Sequence, residues 1–252
     1  MGAQNARLWA GRRLNTVVFD VEPASGRKPD QRAARPRDAA TLILVRRDRG
    51  RVEFLMGQRH ASNAFMPNKF VFPGGRLERG DYHVAAAGGL RPEVAKRLEL
   101  GASPSRARAL AIAAIRETVE ETGLRLGRPS AVKLRGAAWE SFSNAGLAPS
   151  LDVLDYVGRA ITPPHRPRRF DARFFMADAH HIHQVDLDDL AGSGELLKLC
   201  WVTVEEAMTL DLPKITTAIM NEAAARLVDP DPKRPIPFVR PIRGKSVLER
   251  VG

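Results

Sequence analysis

Three glutamates, at positions 117, 120 and 121, stand within the stretch RETVEETGL (116–124). At roughly 100° per residue, an i, i+3, i+4 set shares one face of a helix. Carboxylates that close repel one another unless something positive sits among them. One reading is a solvated acidic face, the commonest fate of clustered glutamates. The other is a hard-cation site, in which Glu117, Glu120 and Glu121 hold Mg2+ or Mn2+ and the metal holds substrate phosphates. Arg116 and Arg125 flank the cluster and offer nearby positive charge.

Residues 70–81, FVFPGGRLERGD, bear on that choice. A short apolar run ends in Pro-Gly-Gly, a strand entering a tight turn. FPGG followed by RETVEETGL resembles the signature of Nudix hydrolases, G-x5-E-x7-R-E-U-x-E-E-x-G-U with U aliphatic. Arg116, Glu117, Glu120, Glu121, Gly123 and Leu124 match its second half, and Gly75 matches its opening glycine. The pattern is departed from in three places. Thr118 replaces an aliphatic residue. Asp81 stands where the first glutamate belongs. Gly75 and Arg116 are 41 positions apart where the signature has 14, so about 27 extra residues interrupt it. Loop length costs little entropy if the excursion returns to the point it left.

An interrupted box of this kind resembles a branch of the family that includes coenzyme A diphosphatases, and the resemblance covers most of residues 39–210. It implies metal-dependent hydrolysis of a pyrophosphate bond in a nucleoside diphosphate-X compound, with coenzyme A or acyl-CoA as the leading substrate. ADP-ribose, NADH and capped RNA are alternatives, as is a non-catalytic module that binds nucleotide or RNA. By resemblance, Glu117, Glu120, Glu121 and the Gly75 carbonyl ligate Mg2+ or Mn2+. Glu117 doubles as general base or orients the water, and Arg116 pairs with a glutamate to fix the constellation. Arg59, Arg76 and Phe65 are candidate substrate contacts, although Phe65 is as readily explained by local packing. Glu140 and Glu195 are both candidates for a further downstream carboxylate.

The elements that must position these groups are legible from periodicity. Ile112, Ile115 and Val119 recur at helical spacing along residues 107–124. Ser103-Pro104 reads as N-cap and first turn, and Gly123 as a C-cap. AATLILVRR (39–47), the turn DRG (48–50) and RVEFLMGQRH (51–60) predict a hairpin. Further strands are expected near 15–19, 127–139, 155–164, 169–179 and 195–202, with 143–151 a loop. Thr203 with Glu206 predicts a capping box, and 213–227 a last amphipathic helix. His180, His181 and His183 are read as loop histidines. These elements fit an α/β fold: a Nudix-type α/β/α sandwich around a mixed sheet, with an insert between the glycine loop and the catalytic helix. The insert, about 82–106, contains a short helix at 92–100. Its anchorage beside the glutamates makes a substrate lid an expectation, with Lys96 and Arg97 meeting an anionic group while Val94 and Leu98 pack inward.

The expected organisation is a basic, partly linker-like segment at 1–38, a Nudix domain at 39–228 and a Pro/Arg-rich tail at 229–252, in which PFVRPI could lie as a surface strand. Hydrophobic residues make up 44% of the 252, enough for a sizeable core. The single cysteine, Cys200, excludes an internal disulfide and a cysteine metal cluster. A net charge of +11 favours anionic partners. The expected one is a small-molecule nucleotide; no RNA-recognition signature supports a dedicated nucleic-acid site, and a homodimer is compatible. There is no apolar run long enough for a membrane span. The arginine-rich start lacks a secretory core, so the expectation is a cytoplasmic protein, with a bacterial or organellar matrix setting compatible.

Overall fold

The computed structural model describes residues 17–19, 34–63, 65–183, 186–243 and 245–252. In chain order the elements are β1 (Val17–Phe19), β2 (Arg37–Asp48), β3 (Arg51–Arg59), β4 (Phe70–Val71), β5 (Gly74–Arg76), α1 (Pro92–Glu99), α2 (Pro104–Thr122) and β6 (Gly127–Pro129). They continue with α3 (Glu140–Asn144), β7 (Leu147–Pro149), β8 (Asp155–Ile161), β9 (Phe170–Asp178), β10 (Leu196–Val202), α4 (Val204–Ala207), α5 (Lys214–Val228), β11 (Ile236–Ile242) and β12 (Lys245–Val251).

The β2–β3 hairpin closes with Asp48 opposite Arg51, and Arg49 and Gly50 both have positive φ, +46° and +79°. Those are the angles of a two-residue turn whose twist matches the strands it joins. Along β2, Ala40, Leu42 and Leu44 enter one core and Ile43 and Val45 the other. A strand buried on both faces lies between two layers of helix. The main sheet runs β1-β12-β11-β8-β9-β2-β3-β10, with β4 beside β3 and β5 beside β2. The β2–β9 and β8–β11 pairs are parallel and the rest antiparallel, so the sheet is mixed. Helices α1 and α2 cover one face and α4 and α5 the other. This is the expected Nudix-type sandwich.

One feature of the sheet makes room for a site. β2 pairs with β5 over residues 39–41 but with β3 over 45–48. The far half of β3 has left β2 and pairs instead with β4 and β10. The sheet therefore splits beside the glycine loop.

Several expectations are corrected. The strand expected at 127–139 is only β6; Pro129 carries no N–H to extend the ladder, and the chain passes through a 3-10 turn at Ala137–Trp139. The loop expected at 143–151 holds the end of α3 and all of β7, which pairs with β6 in a separate ribbon, because Phe142, Leu147 and Leu151 are buried in the main core. The expected C-terminal tail is a hairpin inside the main sheet: β11 joins β8 and β12, and Ile236, Val239, Val247 and Leu248 are buried. Its prolines masked a strand signal carried by those four residues. β1 pairs with β12, so residues 17–19 form the short strand expected there. The linker reading of 22–38 falls largely outside the described residues, and the reading of residues 1–13 wholly so.

The insert is corrected as well. Val94 and Leu98 of α1 are buried as expected, but α1 packs against β8 and α2. The glutamates of α2 face β5, on the other side of β2 and β9 in the sheet order. Arg97 donates to the Pro232 carbonyl. The insert helix is a flank of the core, not a cover over the carboxylates. Among the described residues no helix is long and apolar enough to cross a membrane.

Candidate active site

The site is built on α2. The Ser103 hydroxyl accepts from the Arg106 N–H at 3.3 Å, Pro104 opens the first turn, and Gly123 closes the helix in the left-handed region at φ +77°. Thr118 and Thr122 are fully buried, and each donates its hydroxyl to the carbonyl four residues back, at 2.8 and 2.6 Å. That is how a threonine stands in an aliphatic position without an unpaired hydroxyl. The helix is enclosed on nearly every side, so the solvated acidic face does not exist: Glu121 is 3% exposed and the Glu117 side chain 13%, while Glu120 is at 36%.

What packs on those carboxylates is the glycine turn. The Gly74 N–H donates to Glu121 Oε2 at 2.8 Å. A Cβ at Gly74 would lie 2.6 Å from the Ala40 carbonyl, and one at Gly75 would collide with the Glu117 carboxylate. Backbone and carboxylate meet at a distance only glycine permits.

Arg116 organises the group from within the core. Its Nε and Nη2 donate to Asp81 at 2.8 and 3.2 Å, Nη2 also to the Arg76 carbonyl at 2.8 Å, and Nη1 to Glu120 at 3.0 Å. Nη1 is also 3.0 Å from Glu117 Oε1. Burial opposes the Arg116 charge, but Asp81, Glu117 and Glu120 more than offset it, and the net shift is upward. Asp81, 1% exposed, also accepts the Glu78 N–H at 2.8 Å. Where the family signature has glutamate, this shorter side chain holds the arginine and closes the 3-10 turn at Gly80–Tyr82. The sequence marks its position but not that double role.

The electrostatics single out two carboxyls. Burial pushes Glu117 up to about 7; Arg116 opposes the shift, and Glu120 and Glu195 add to it. Burial pushes Glu121 up to about 8, opposed by the Gly74 N–H and Arg59 and reinforced by Glu117 and Glu195. Of the two downstream candidates, Glu195 therefore acts on both inner carboxylates, whereas Glu140 heads α3, which packs with β7. Arg59 ends β3 opposite Leu196, and its Nε is buried with no hydrogen-bond partner among the described residues. The Arg76 side chain is exposed. Phe65 packs edge-to-face on Phe170 with centroids 5.0 Å apart. His180 and His181 close a 3-10 turn, with His180 Nδ1 2.8 Å from Asp178.

Sequence reasoning missed the loop that seals the end of α2. The Ser193 N–H donates to the Glu120 carbonyl at 2.7 Å and the Ala191 N–H to the Thr122 carbonyl at 3.1 Å. Gly192 passes so close to the Glu121 carbonyl that a Cβ would not fit. The glycines at 192 and 194 were the available signal.

As a metal site the donor set is all oxygen, which suits Mg2+ or Mn2+. Among the described residues, no three His, Cys, Asp or Glu side chains converge into a ready cage. Arg116 holds Glu117 and Glu120 alike at 3.0 Å, and Glu117 and Glu121 are the two buried carboxyls that act on each other beside the glycine turn. That suits Mg2+, which binds through one or two carboxylates and takes its other ligands from water and substrate phosphate. Two desolvated carboxyls that resist ionisation are also what a divalent cation would relieve. The residues fit the metal.

No family model and no curated protein matches the chain. Among solved structures, it is similar to a Nudix hydrolase from Alicyclobacillus acidocaldarius, with 28% identity over 77% of this chain and 96% of that one and a TM-score of 0.59. The fold is that of a Nudix hydrolase. More distant likenesses include the Nudix domain of Shewanella oneidensis NrtR in complex with ADP ribose, at 11% identity over 77% of this chain and 90% of that one, TM-score 0.45. A C. elegans Ap4A hydrolase is similar at 17% identity over 76% of this chain and 98% of that one, TM-score 0.42. In this chain the box is interrupted in sequence but continuous in space: Arg116, behind the insert, donates to the Arg76 carbonyl and to Asp81 ahead of it, and Gly74 donates to Glu121.

Proposed function

We propose that this protein is a Nudix hydrolase that cleaves a pyrophosphate bond in a nucleoside diphosphate-X compound, with coenzyme A or an acyl-CoA as the leading substrate. The observation that carries the reaction is the pair of buried carboxyls, Glu117 and Glu121, held against a side-chain-free turn and raised to about 7 and 8. The coenzyme A reading is supported by the interruption of the box after the glycine turn.

Glu117, Glu121, Glu120 and the Gly75 carbonyl are the groups that would hold Mg2+ or Mn2+. When bound, such an ion neutralises phosphate charge and acidifies a coordinated water. The protein's own residues do the rest. Glu117, 13% exposed beside the glycine turn, is placed to accept a proton from water at its exposed edge. Arg116, locked by Asp81, keeps Glu117 and Glu120 in fixed rotamers. Arg59 has an unspent buried N–H beside Glu121 and can donate it to a substrate phosphate oxygen.

The test is a screen of coenzyme A, acyl-CoAs, ADP-ribose, NADH, dinucleoside polyphosphates and nucleoside triphosphates with Mg2+ or Mn2+, followed by product analysis. Coenzyme A should give 3′-phospho-AMP and phosphopantetheine, and EDTA should abolish turnover. Activity on other pyrophosphates but not on coenzyme A would overturn the substrate assignment. Metal-independent turnover would overturn the site chemistry.

A further inference from the structure

Side-chain alternation in the sheet decides where the rest of a substrate can lie. Residues paired across strands share a face. Ala40, paired with Gly75, lies on the face covered by α1 and α2, where the Glu117 carboxylate fills the space a Gly75 side chain would need. Arg37, Ala39 and Thr41 alternate with it and point to the opposite face, together with their partners Phe170, Arg76 and Gly74. That is the face of α4 and α5, where Phe174 and Met176 continue the row begun by Phe170. The Leu42 N–H donates to the Pro73 carbonyl at 3.0 Å. Gly74, the next residue, therefore turns its N–H away from β2 and into the split of the sheet, where it meets Glu121. With α2 filling one face, a substrate reaches Glu121 through the split from the other.

Two features mark that open face. Arg37 and Arg76 are exposed, and neither side chain has an ion-pair partner among the described residues. At the same end of the sheet, on the α2 face, Arg106, Arg159 and Arg173 are all paired with Asp38 or Asp171. Beside the two unpaired arginines, the half-buried Phe65 and Phe170 meet edge-to-face, a contact that leaves ring faces unused. Phe65 is held there by a loop of uncommon backbone: Met66 and Asn68 have φ +52° and +61°. The Asn68 N–H donates to the Arg59 carbonyl at 3.2 Å, and Gln58 Nε2 donates to the Asn68 carbonyl at 2.9 Å. Such conformations persist where the surrounding structure fixes them, and they gather at ligand sites. The loop ties Phe65 to Arg59, whose buried Nε has no hydrogen-bond partner among the described residues. Packing explains the aromatic contact by itself, but not two unpaired guanidinium groups on the same face.

We infer, resting on the hydrolase reading that puts the pyrophosphate at the glutamates, that this face receives the nucleoside end of the substrate. Arg76 meets the phosphate beside the scissile bond, and the base stacks on Phe65 next to Phe170 and Arg37. From the level of Gly74 and Glu121, Arg76 is two residues along the strands and Phe170 is four, or about 7 Å and about 13 Å at about 3.3 Å per residue. Phosphate and base follow the scissile bond in that order in a nucleoside 5′-diphosphate. Guanidinium groups suit the phosphates, and an aromatic face suits a flat base of any sequence.

The test compares two ligands that cannot be hydrolysed at the bridging position, α,β-methylene-ADP and methylenediphosphonate. Their Kd values are measured calorimetrically with Mg2+ on the full chain. The parent should bind the nucleotide at least about fivefold tighter, the lower end of what one stacked base contributes. Phe65→Leu should remove most of that preference while leaving the methylenediphosphonate Kd within about twofold, and Phe65→Tyr should keep it. Arg76→Met should weaken both ligands. Equal binding of the two ligands by the parent overturns the base site, and so does a Phe65→Leu variant that weakens both alike, since Phe65 then only packs the loop that carries Arg59. Unchanged Kd values in Arg76→Met overturn its phosphate contact. A base preference that depends on Phe65, in a chain that turns over no pyrophosphate compound, supports the base site and overturns the hydrolase reading alone.

Discussion

Replacing Glu121 with glutamine should abolish turnover and, unusually for a buried active-site change, stabilise the metal-free protein at alkaline pH. Glu121 is 3% exposed, and its carboxyl sits near 8 in the fold against an ordinary 4.5. A carboxyl raised in the folded state holds its proton more tightly there than in the unfolded chain. Its cost is therefore absent below about 4.5, grows as pH rises, and is complete above about 8. At about 1.4 kcal/mol per unit, the full cost is about 5 kcal/mol, and at pH 7.5 it is about 4 kcal/mol. Glutamine avoids that charge and can still accept the Gly74 N–H, but its amide needs a partner, at a cost of about 1–3 kcal/mol if poorly met. The net gain at pH 7.5 is then about 1–3 kcal/mol, or roughly 3–10 °C in Tm for a domain of this size. The assay is thermal unfolding of both proteins in EDTA from pH 5 to 8.5. The advantage of the variant should grow with pH and be gone at pH 5, where the carboxyl costs only about 1 kcal/mol and the variant should be equal to or up to about 2 kcal/mol less stable than the parent, and Mg2+ should raise the Tm of the parent more than that of the variant. A variant that is less stable at pH 8, or a difference that does not change with pH, would refute the assignment of Glu121 as a strained, metal-relieved carboxylate.

Three further outcomes follow from the same geometry. Asp81→Asn should cost about 3–5 kcal/mol in urea unfolding, because Arg116 is left buried with its main counter-charge gone; a loss below about 1 kcal/mol would show that Glu117 and Glu120 suffice to hold it. Gly75→Ala should lower kcat at least about 100-fold with a much smaller loss of stability, since the added methyl displaces the Glu117 carboxylate and a misplaced group of this kind carries that penalty; near-parental kcat would mean that Glu117 does not work where it stands. Deleting 232–252 should lower Tm by well over about 10 °C or prevent soluble expression, because two strands of the main sheet leave and β8 is exposed; an unchanged Tm would contradict the docking of the C-terminal hairpin.

Much of this protein is visible in short stretches of its sequence. The turn at Arg49-Gly50, the Ser103 and Gly123 caps of α2, the capping box at Thr203 and Glu206 and the placing of three glutamates on one helical face each depend on residues a few positions apart. Local spacing and backbone preference determine such features, so they can be read without a structure. The family signature adds the glycine turn, and with it the class of chemistry.

Only the tertiary structure decided the rest, because it turns on contacts between residues far apart in the chain. Glu121 could equally have been solvated; it is buried because Gly74, 47 positions away, donates to it and the loop at Gly192 closes over it. Glu195 and Glu140 are equivalent as letters, and only packing brings one of them within electrostatic reach of Glu117. The prolines at 237 and 241 suggested a tail, yet the buried Ile236, Val239, Val247 and Leu248 take those residues into the sheet. The insert helix could have covered the glutamates; the apolar side chains of Val94 and Leu98 instead seat it beside β8. In each case the deciding term is burial against a distant partner, and periodicity along the chain shows which side chains need burial without showing what will bury them.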